Sequence, residues 1–268
     1  MRLSEYQSEH YYTRSNVYIR YMKPMELQSE PDVILHVEQT PSPESTVIIG
    51  FPGSGLVGSI SVSYMIDVLE FEQIGHITSK WFPPMALMAE GVISLPVRIY
   101  AKDTFVAILA DIPIQTTLCY EMSKALISWF TSISAKQIIV IAGILTNELE
   151  NRVFVTVTEK ELLERLPEAC IPLPIGNISG IAGSILIEAK TNKIPTIGLL
   201  AEAINAPDPR ASASIISVLN PYLSLEMDVS DLLEQAENIE SQMHNLAEEV
   251  SNTTADDGQK REMLPMYG

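Results

Sequence analysis

The sequence predicts an α/β protein with a mostly parallel sheet covered by helices on both faces. Three observations predict it. Thr46-Val47-Ile48-Ile49 is a β-branched apolar run that enters a glycine loop, Gly50-Phe51-Pro52-Gly53-Ser54-Gly55, and an apolar helical segment leaves that loop through Gly58. After its first residue, Gln137-Ile138-Ile139-Val140-Ile141-Ala142 is apolar without interruption, as in a strand buried on both faces. Strand-like and helix-like segments then alternate along the chain, as crossovers between parallel strands require.

Residues 1–30 carry five tyrosines without clean periodicity and read as an irregular arm. A core domain is expected over 31–228. Asp32 to Val37 is short and apolar, a strand, and Pro41-Ser42-Pro43 turns the chain toward the Thr46 strand. Leu56 to Leu69 reads as a helix and Gln73 to Thr78 as a strand. Trp81-Phe82-Pro83-Pro84 is an ordered loop, because consecutive prolines neither continue a helix nor donate to a ladder. Val92-Ile93-Ser94 and Arg98-Ile99-Tyr100 are expected to pair with each other, antiparallel, followed by a buried strand from Phe105 to Leu109. Thr116 to Phe130 is helical, and the Gln137 strand is expected to close at Gly143. Val153 to Val157 is a strand, and Thr158 with Glu161 has capping-box spacing for a helix through Leu166. Gly180-Ile181-Ala182-Gly183 leads into a helix reaching Lys190, Pro195 to Leu200 is a further buried strand, and Pro207 to Leu219 a further helix.

The C-terminal forty residues differ in kind. Leu232, Ala236, Ile239, Met243, Leu246 and Val250 form an a/d stripe over 229–250. Two readings stay open for it: an amphipathic helix on its own domain, or a helix used in self-association. Residues 251–268 read as a flexible tail, polar until the apolar tip Met263-Leu264-Pro265-Met266-Tyr267-Gly268. Such a tip is suited to docking as a peptide elsewhere.

Composition narrows the function. With 268 residues, 46% apolar and 19% charged, the chain is globular. It has no apolar run of membrane-span length and begins with a polar segment, so a cytoplasmic protein is expected. Its formal charge of −17 argues against nucleic acid and anionic membranes as partners. From Ala211 to Gln259 there is no Lys or Arg, which reads as a solvated face plus tail or as a guide toward a basic partner. Cys119 and Cys170 sit among apolar neighbours and read as structural thiols.

No catalytic constellation is legible. Gly53, Gly55 and Gly58 satisfy G-x-G-x-x-G, but the strand from Gln73 ends in Ser79-Lys80, without the acid that a ribose requires. The competing reading is a packing turn, with Gly50, Gly53, Gly55, Gly58, Gly180 and Gly183 as structural glycines. His10, His36, His76 and His244 have no partner at metal spacing, so neither metal nor cofactor is expected. Tyr120 and Lys124 form Y-x-x-x-K, yet the glycine spacing is not that of short-chain dehydrogenases and no serine lies about a dozen residues upstream. Asp111, two residues before Pro113, and Asp208, between Pro207 and Pro209, stand at element boundaries, where turn or cap roles suffice. An alternative to a non-enzymatic protein is an enzyme that binds a nucleotide or phosphate with the Gly53–Gly58 loop.

One series of segments, in order, resembles the archaeal homologues of proteasome assembly chaperone 2. It comprises Gly50-Phe51-Pro52-Gly53-Ser54-Gly55-Leu56-Val57-Gly58, Phe82-Pro83-Pro84, Gly91 with Leu95-Pro96-Val97-Arg98-Ile99-Tyr100, and Asp111-Ile112-Pro113. It continues with Ala142-Gly143-Ile144, Ser179-Gly180-Ile181-Ala182-Gly183, Gly198-Leu199-Leu200-Ala201-Glu202 and Pro207-Asp208-Pro209-Arg210-Ala211. The resemblance implies a three-layer α/β/α fold similar to nucleoside phosphorylases without their catalysis. It also implies homo-oligomers, possible related chaperone subunits, and binding to the α-subunits of the proteasome core particle. Met266-Tyr267-Gly268 looks like the hydrophobic-tyrosine-any terminus of proteasome activators. In those proteins the tyrosine and apolar residue enter pockets between α-subunits, and the terminal carboxylate meets a lysine.

Overall fold

The computed structural model describes residues 32–89, 91–146, 150 and 152–238. The arm over 1–30, the heptad positions Ile239, Met243, Leu246 and Val250, and the tail with Met266, Tyr267 and Gly268 lie outside the described residues. The strands are β1 (Ile34–Val37), β2 (Thr46–Gly50), β3 (Glu72–Thr78), β4 (Leu87–Ala89), β5 (Val92–Ser94), β6 (Val97–Lys102), β7 (Phe105–Ala110), β8 (Gln137–Leu145), β9 (Val153–Val157), β10 (Cys170–Pro172) and β11 (Thr196–Ala203). The helices are α1 (Val57–Val68), α2 (Cys119–Ser132), α3 (Gly180–Thr191) and α4 (Pro209–Leu223).

Nine strands form one sheet in the order β1-β3-β6-β7-β2-β8-β11-β9-β10. Its centre, β7-β2-β8-β11, is parallel throughout, and antiparallel ladders extend it at both margins. Burial on both faces explains the apolar runs. On β2, Ile48 packs with Val57, Met65 and Ile215 of α1 and α4, whereas Val47 and Ile49 pack with Met122, Leu126 and Ile185 of α2 and α3. Ile139 and Ile141 of β8 repeat the first assignment, Ile138 and Val140 the second. Successive residues thus serve opposite cores, so every one must be apolar. The result is three layers, α1/α4, sheet and α2/α3. Burial of each Ile or Val contributes about 1.5–3 kcal/mol.

Several sequence expectations are corrected. β5 pairs with β4 in a separate two-stranded sheet, while β6 pairs with β3 and β7. β8 does not close at Gly143 but runs on to Leu145, because β11 continues beside it in register, Ala201 to Gly143 and Ala203 to Leu145. The Thr158 capping box does not form. The Thr158 hydroxyl instead accepts the Thr196 N–H at 2.8 Å, and a 3₁₀ segment over Lys160–Arg165 follows without a side-chain cap. α1 and α2 are each entered through a 3₁₀ turn, Ser54–Leu56 and Thr116–Leu118. Asp208 does cap α4, accepting the Ala211 N–H at 2.9 Å, with Pro209 at the first helical position.

At the sheet edge, His36 of β1 stands directly opposite His76 of β3 with the rings stacked, centroids 4.5 Å apart. Burial, and then the neighbouring His36, push the His76 imidazole below its ordinary pKa. Between the two values the unfolded chain binds more protons, so this contribution is complete above the usual histidine range and is lost as pH falls through it. The melting temperature should therefore drop between about pH 7 and about pH 5. His76→Phe, which keeps an aromatic ring, should flatten that part of the profile in a thermal-melt series.

Candidate functional site

The parallel centre of the sheet puts the carboxyl ends of β2, β7, β8 and β11 at one end of the molecule. The glycine loop lies there, and backbone fills the space beside Gly50 and Gly58. A Cβ on Gly50 would stand 2.0 Å from the Gly58 carbonyl oxygen, and one on Gly58 would stand 2.6 Å from that of Ile141. One on Gly143 would stand 2.1 Å from the Ser54 carbonyl oxygen. The loop and the first turn of α1 therefore rest on the bare backbones of β2 and β8. Gly55 adopts φ 62° and lies against Ala203 and Asp208, a combination of conformation and space that suits glycine. Across the sheet, Gly183 approaches the Ile178 carbonyl in the same way, and Gly180 has φ 69°. Gly53 differs, being extended at φ −161° with no atom within 4 Å of an added Cβ.

Two carboxylates stand near the loop, Asp111 paired with Arg98 and Asp208 accepting the Ala211 and Ile204 N–H groups. The Gly55 carbonyl accepts the Asp208 N–H at 2.8 Å, and the Gly53 carbonyl accepts the Leu56 N–H at 3.0 Å. Beside the loop is an open depression of about 450 Å³ lined by Pro52, Gly53, Leu56, Ser59, Asp111 and Pro113. A phosphate cradle needs N–H groups and positive charge facing the ligand. Here Asp111 lines the depression and Asp208 adjoins Gly55.

Two ion pairs fix neighbouring loops. Arg98 of β6 meets the Asp111 carboxylate at 2.8 Å and donates to the Ser94 hydroxyl, tying the end of β5 to the loop after β7. Glu202 of β11, whose side chain is fully buried, meets Arg152 at 2.6 Å and accepts the N–H groups of Glu150 and Arg152, each at 3.1 Å. The Arg152 guanidinium is the main cause that holds the Glu202 carboxyl down at about 2, with the two N–H donors reinforcing it against burial. Neither pair was legible in the sequence, since each joins residues that become neighbours only through the sheet. Arg98 and Asp111 stood within the resembling segments, but no pairing signal joined them.

The other candidates disperse. Leu232 and Ala236 are 1% and 3% exposed, and Leu232 belongs to the α1/α4 core. The Lys124 ammonium lies over the Tyr120 ring at 5.7 Å. Cys119 and Cys170 are unpaired, and burial pushes both thiols up, away from reactivity. Among the described residues no three His, Cys, Asp or Glu converge as a metal site, and no helix is long and apolar enough to cross a membrane. One feature the sequence did not disclose is the β4–β5 hairpin, where Met88, Val92 and Ile93 are exposed.

Fold and loop together define a three-layer α/β/α protein in which Gly50 and Gly58 let the loop and α1 rest on backbone. Residues 47–247 match the model of the PAC2 family, and the chain belongs to that family. It is 31% identical over 222 residues to the uncharacterized protein MJ0106 of Methanocaldococcus jannaschii, covering 82% of this chain and 92% of that one. The crystal structure of Pyrococcus furiosus PbaA, an archaeal homolog of proteasome-assembly chaperone, is similar with a TM-score of 0.75 and 30% identity, over 87% of this chain and 99% of that one. Pyrococcus furiosus PbaB, an archaeal proteasome activator, shares the fold with a TM-score of 0.74 at 23% identity, over 81% of this chain and 99% of its own.

Three substitutions test this packing. Gly50→Ala should lower stability by about 3 kcal/mol in urea titration, because its Cβ meets backbone that cannot move aside. Gly53→Ala should change it by less than about 0.5 kcal/mol. For Glu202 the folded value lies below the unfolded one, so its contribution is complete above the ordinary carboxylate range and is lost as pH falls toward about 2. Glu202→Ala should lower stability by about 3 kcal/mol at neutral pH, because it removes the buried carboxylate that binds Arg152 and leaves the Glu150 and Arg152 N–H groups without their acceptor. Its acid-unfolding profile should be correspondingly shallower.

Proposed function

We propose that this chain is a non-enzymatic, homo-oligomeric proteasome assembly chaperone or ATP-independent activator that binds the α-ring of the proteasome core particle in the cytoplasm. The observation that carries the reading is PAC2 family membership, together with 30% identity to PbaA across 87% of the chain. The glycine-loop geometry supports it, because backbone fills the space that Cβ atoms would take at Gly50, Gly58 and Gly143, and carboxylates adjoin the loop. That arrangement disfavours the nucleotide- or phosphate-binding enzyme.

Docking is assigned to Met266, Tyr267 and the Gly268 carboxylate. An aromatic anchor, a soft apolar neighbour and a terminal charge make a compact hot spot. Several such tails on one oligomer bind by avidity without new contacts.

The test is peptide hydrolysis by purified core particle with the full chain, with Tyr267→Ala, with Gly268→Ala and with a form ending at Pro265. The full chain and Gly268→Ala should bind or stimulate alike, since the carboxylate is retained. Tyr267→Ala should weaken binding at least roughly 30-fold, the scale of a hot-spot residue, and the truncated form should be inactive. Undiminished binding by the truncated form defeats the tail assignment, and absence of any complex defeats the proteasome reading itself.

A further inference from the structure

The β4–β5 hairpin pairs with no other strand among the described residues. Met88 and Ile93 are directly opposed and so share one face, 75% and 70% exposed. Val92 precedes Ile93, points to the other face, and is 70% exposed. Met85 before β4 and Leu95 after β5 are also exposed, and Trp81 is exposed beneath the Lys80 ammonium, 5.3 Å from its ring. A lone two-stranded hairpin is at best marginally stable in water. Yet this one is fastened at its base, by Arg98 to the Ser94 hydroxyl and by the Asp111 N–H to the Pro96 carbonyl at 2.9 Å. It rises from the end of β3, a strand that runs in the same direction as the parallel centre, so it stands at the glycine-loop end of the sheet.

We infer that this arm is the surface through which one copy of the chain binds a second copy. The inference rests on the homo-oligomer reading above and gives it a location. Charge selects the occupant. Two chains of formal charge −17 repel over most of their surfaces, but residues 81–97 contain a single ionisable side chain, Glu90. Like-charged copies can approach there and gain by burying Met88 and Ile93 on one face of the arm. Aromatic and methionine enrichment with depletion of charge is the composition of an interface centre. A basic partner would be drawn to the cation-free acidic stretch from Ala211 to Gln259 and would find no complement on the arm. The other self-association candidate, the heptad stripe, already buries Leu232 and Ala236 in its own domain.

Light scattering and sedimentation of the full chain test this. The wild-type chain should run as a multiple of 29.6 kDa. Met88→Glu/Ile93→Glu should reduce it to one chain, with self-affinity lowered at least roughly 30-fold. Met88→Ser/Ile93→Ser, which adds no charge, should do the same with an unchanged circular dichroism spectrum. Val68→Glu, on an exposed site at the far end of α1, should leave the assembly intact. If both arm variants stay assembled, or Val68→Glu dissociates the assembly as they do, the arm assignment is overturned and the oligomer reading survives. If the wild-type chain sediments as a single chain, the oligomer reading falls, and the arm assignment with it.

Discussion

The rest of the structure depends on one close approach, in which the first turn of α1 and the loop before it lie on β2 and β8 with no side chain between. Gly50, Gly58 and Gly143 come from two strands and a helix, and each leaves space that a neighbouring carbonyl fills. Because α1 is drawn so near, Val57 reaches the core beside Ile141 and α4 can pack along α1. Ser212 of α4 donates to the Val57 carbonyl at 3.4 Å, a contact available only at this separation. Asp208 closes the arrangement by capping α4 while its own N–H binds Gly55.

That interlock also shapes the carboxyl end of the sheet. In open α/β sheets this end is where ligands bind, with loop N–H groups pointing outward. Here the Gly55 and Gly53 carbonyls are bound within the loop region, and the depression beside it is lined by Pro52, Gly53, Leu56, Ser59, Asp111 and Pro113. Asp111 in turn is committed to Arg98, which holds the hairpin. The same end of the fold is thus tied together through a chain of contacts from Asp111 to Arg98 to Ser94.

The central fold was legible because doubly buried strands leave a strong trace, as in the continuous apolar run of β8 and the β-branched run of β2. Asp208 was legible as a cap because Pro209 follows it. What failed to show were features set by contacts distant in sequence. Gly143 looked like a terminator, but its missing Cβ accommodates Ser54 while the strand passes through it. Thr158 had capping-box spacing, yet its hydroxyl found the Thr196 N–H, some forty residues away, as the better partner. Val92–Ser94 was assigned the wrong mate because the short run Leu87–Ala89 carries no alternation to mark it as a strand. Of the candidate functional residues, the glycines announced themselves by type, whereas Arg98 and Glu202 needed the register of the sheet to bring their partners close.

Charge and apolar surface divide the remaining work between parts of the chain. The excess of acid is concentrated in sequence from Ala211 onward, where no cation occurs before Lys260, while the hairpin contributes almost no charge. Long-range repulsion between copies is screened over about 8 Å at physiological ionic strength, and contact between apolar side chains acts only at touching distance. An acidic exterior therefore opposes indiscriminate association, and a neutral arm permits association in one orientation. If tails dock a larger assembly, as proposed, fixing the orientation of the cores is what sets the spacing of their tails. Avidity depends on that spacing matching the sites to be spanned, so the arm and the tail act on binding as a product.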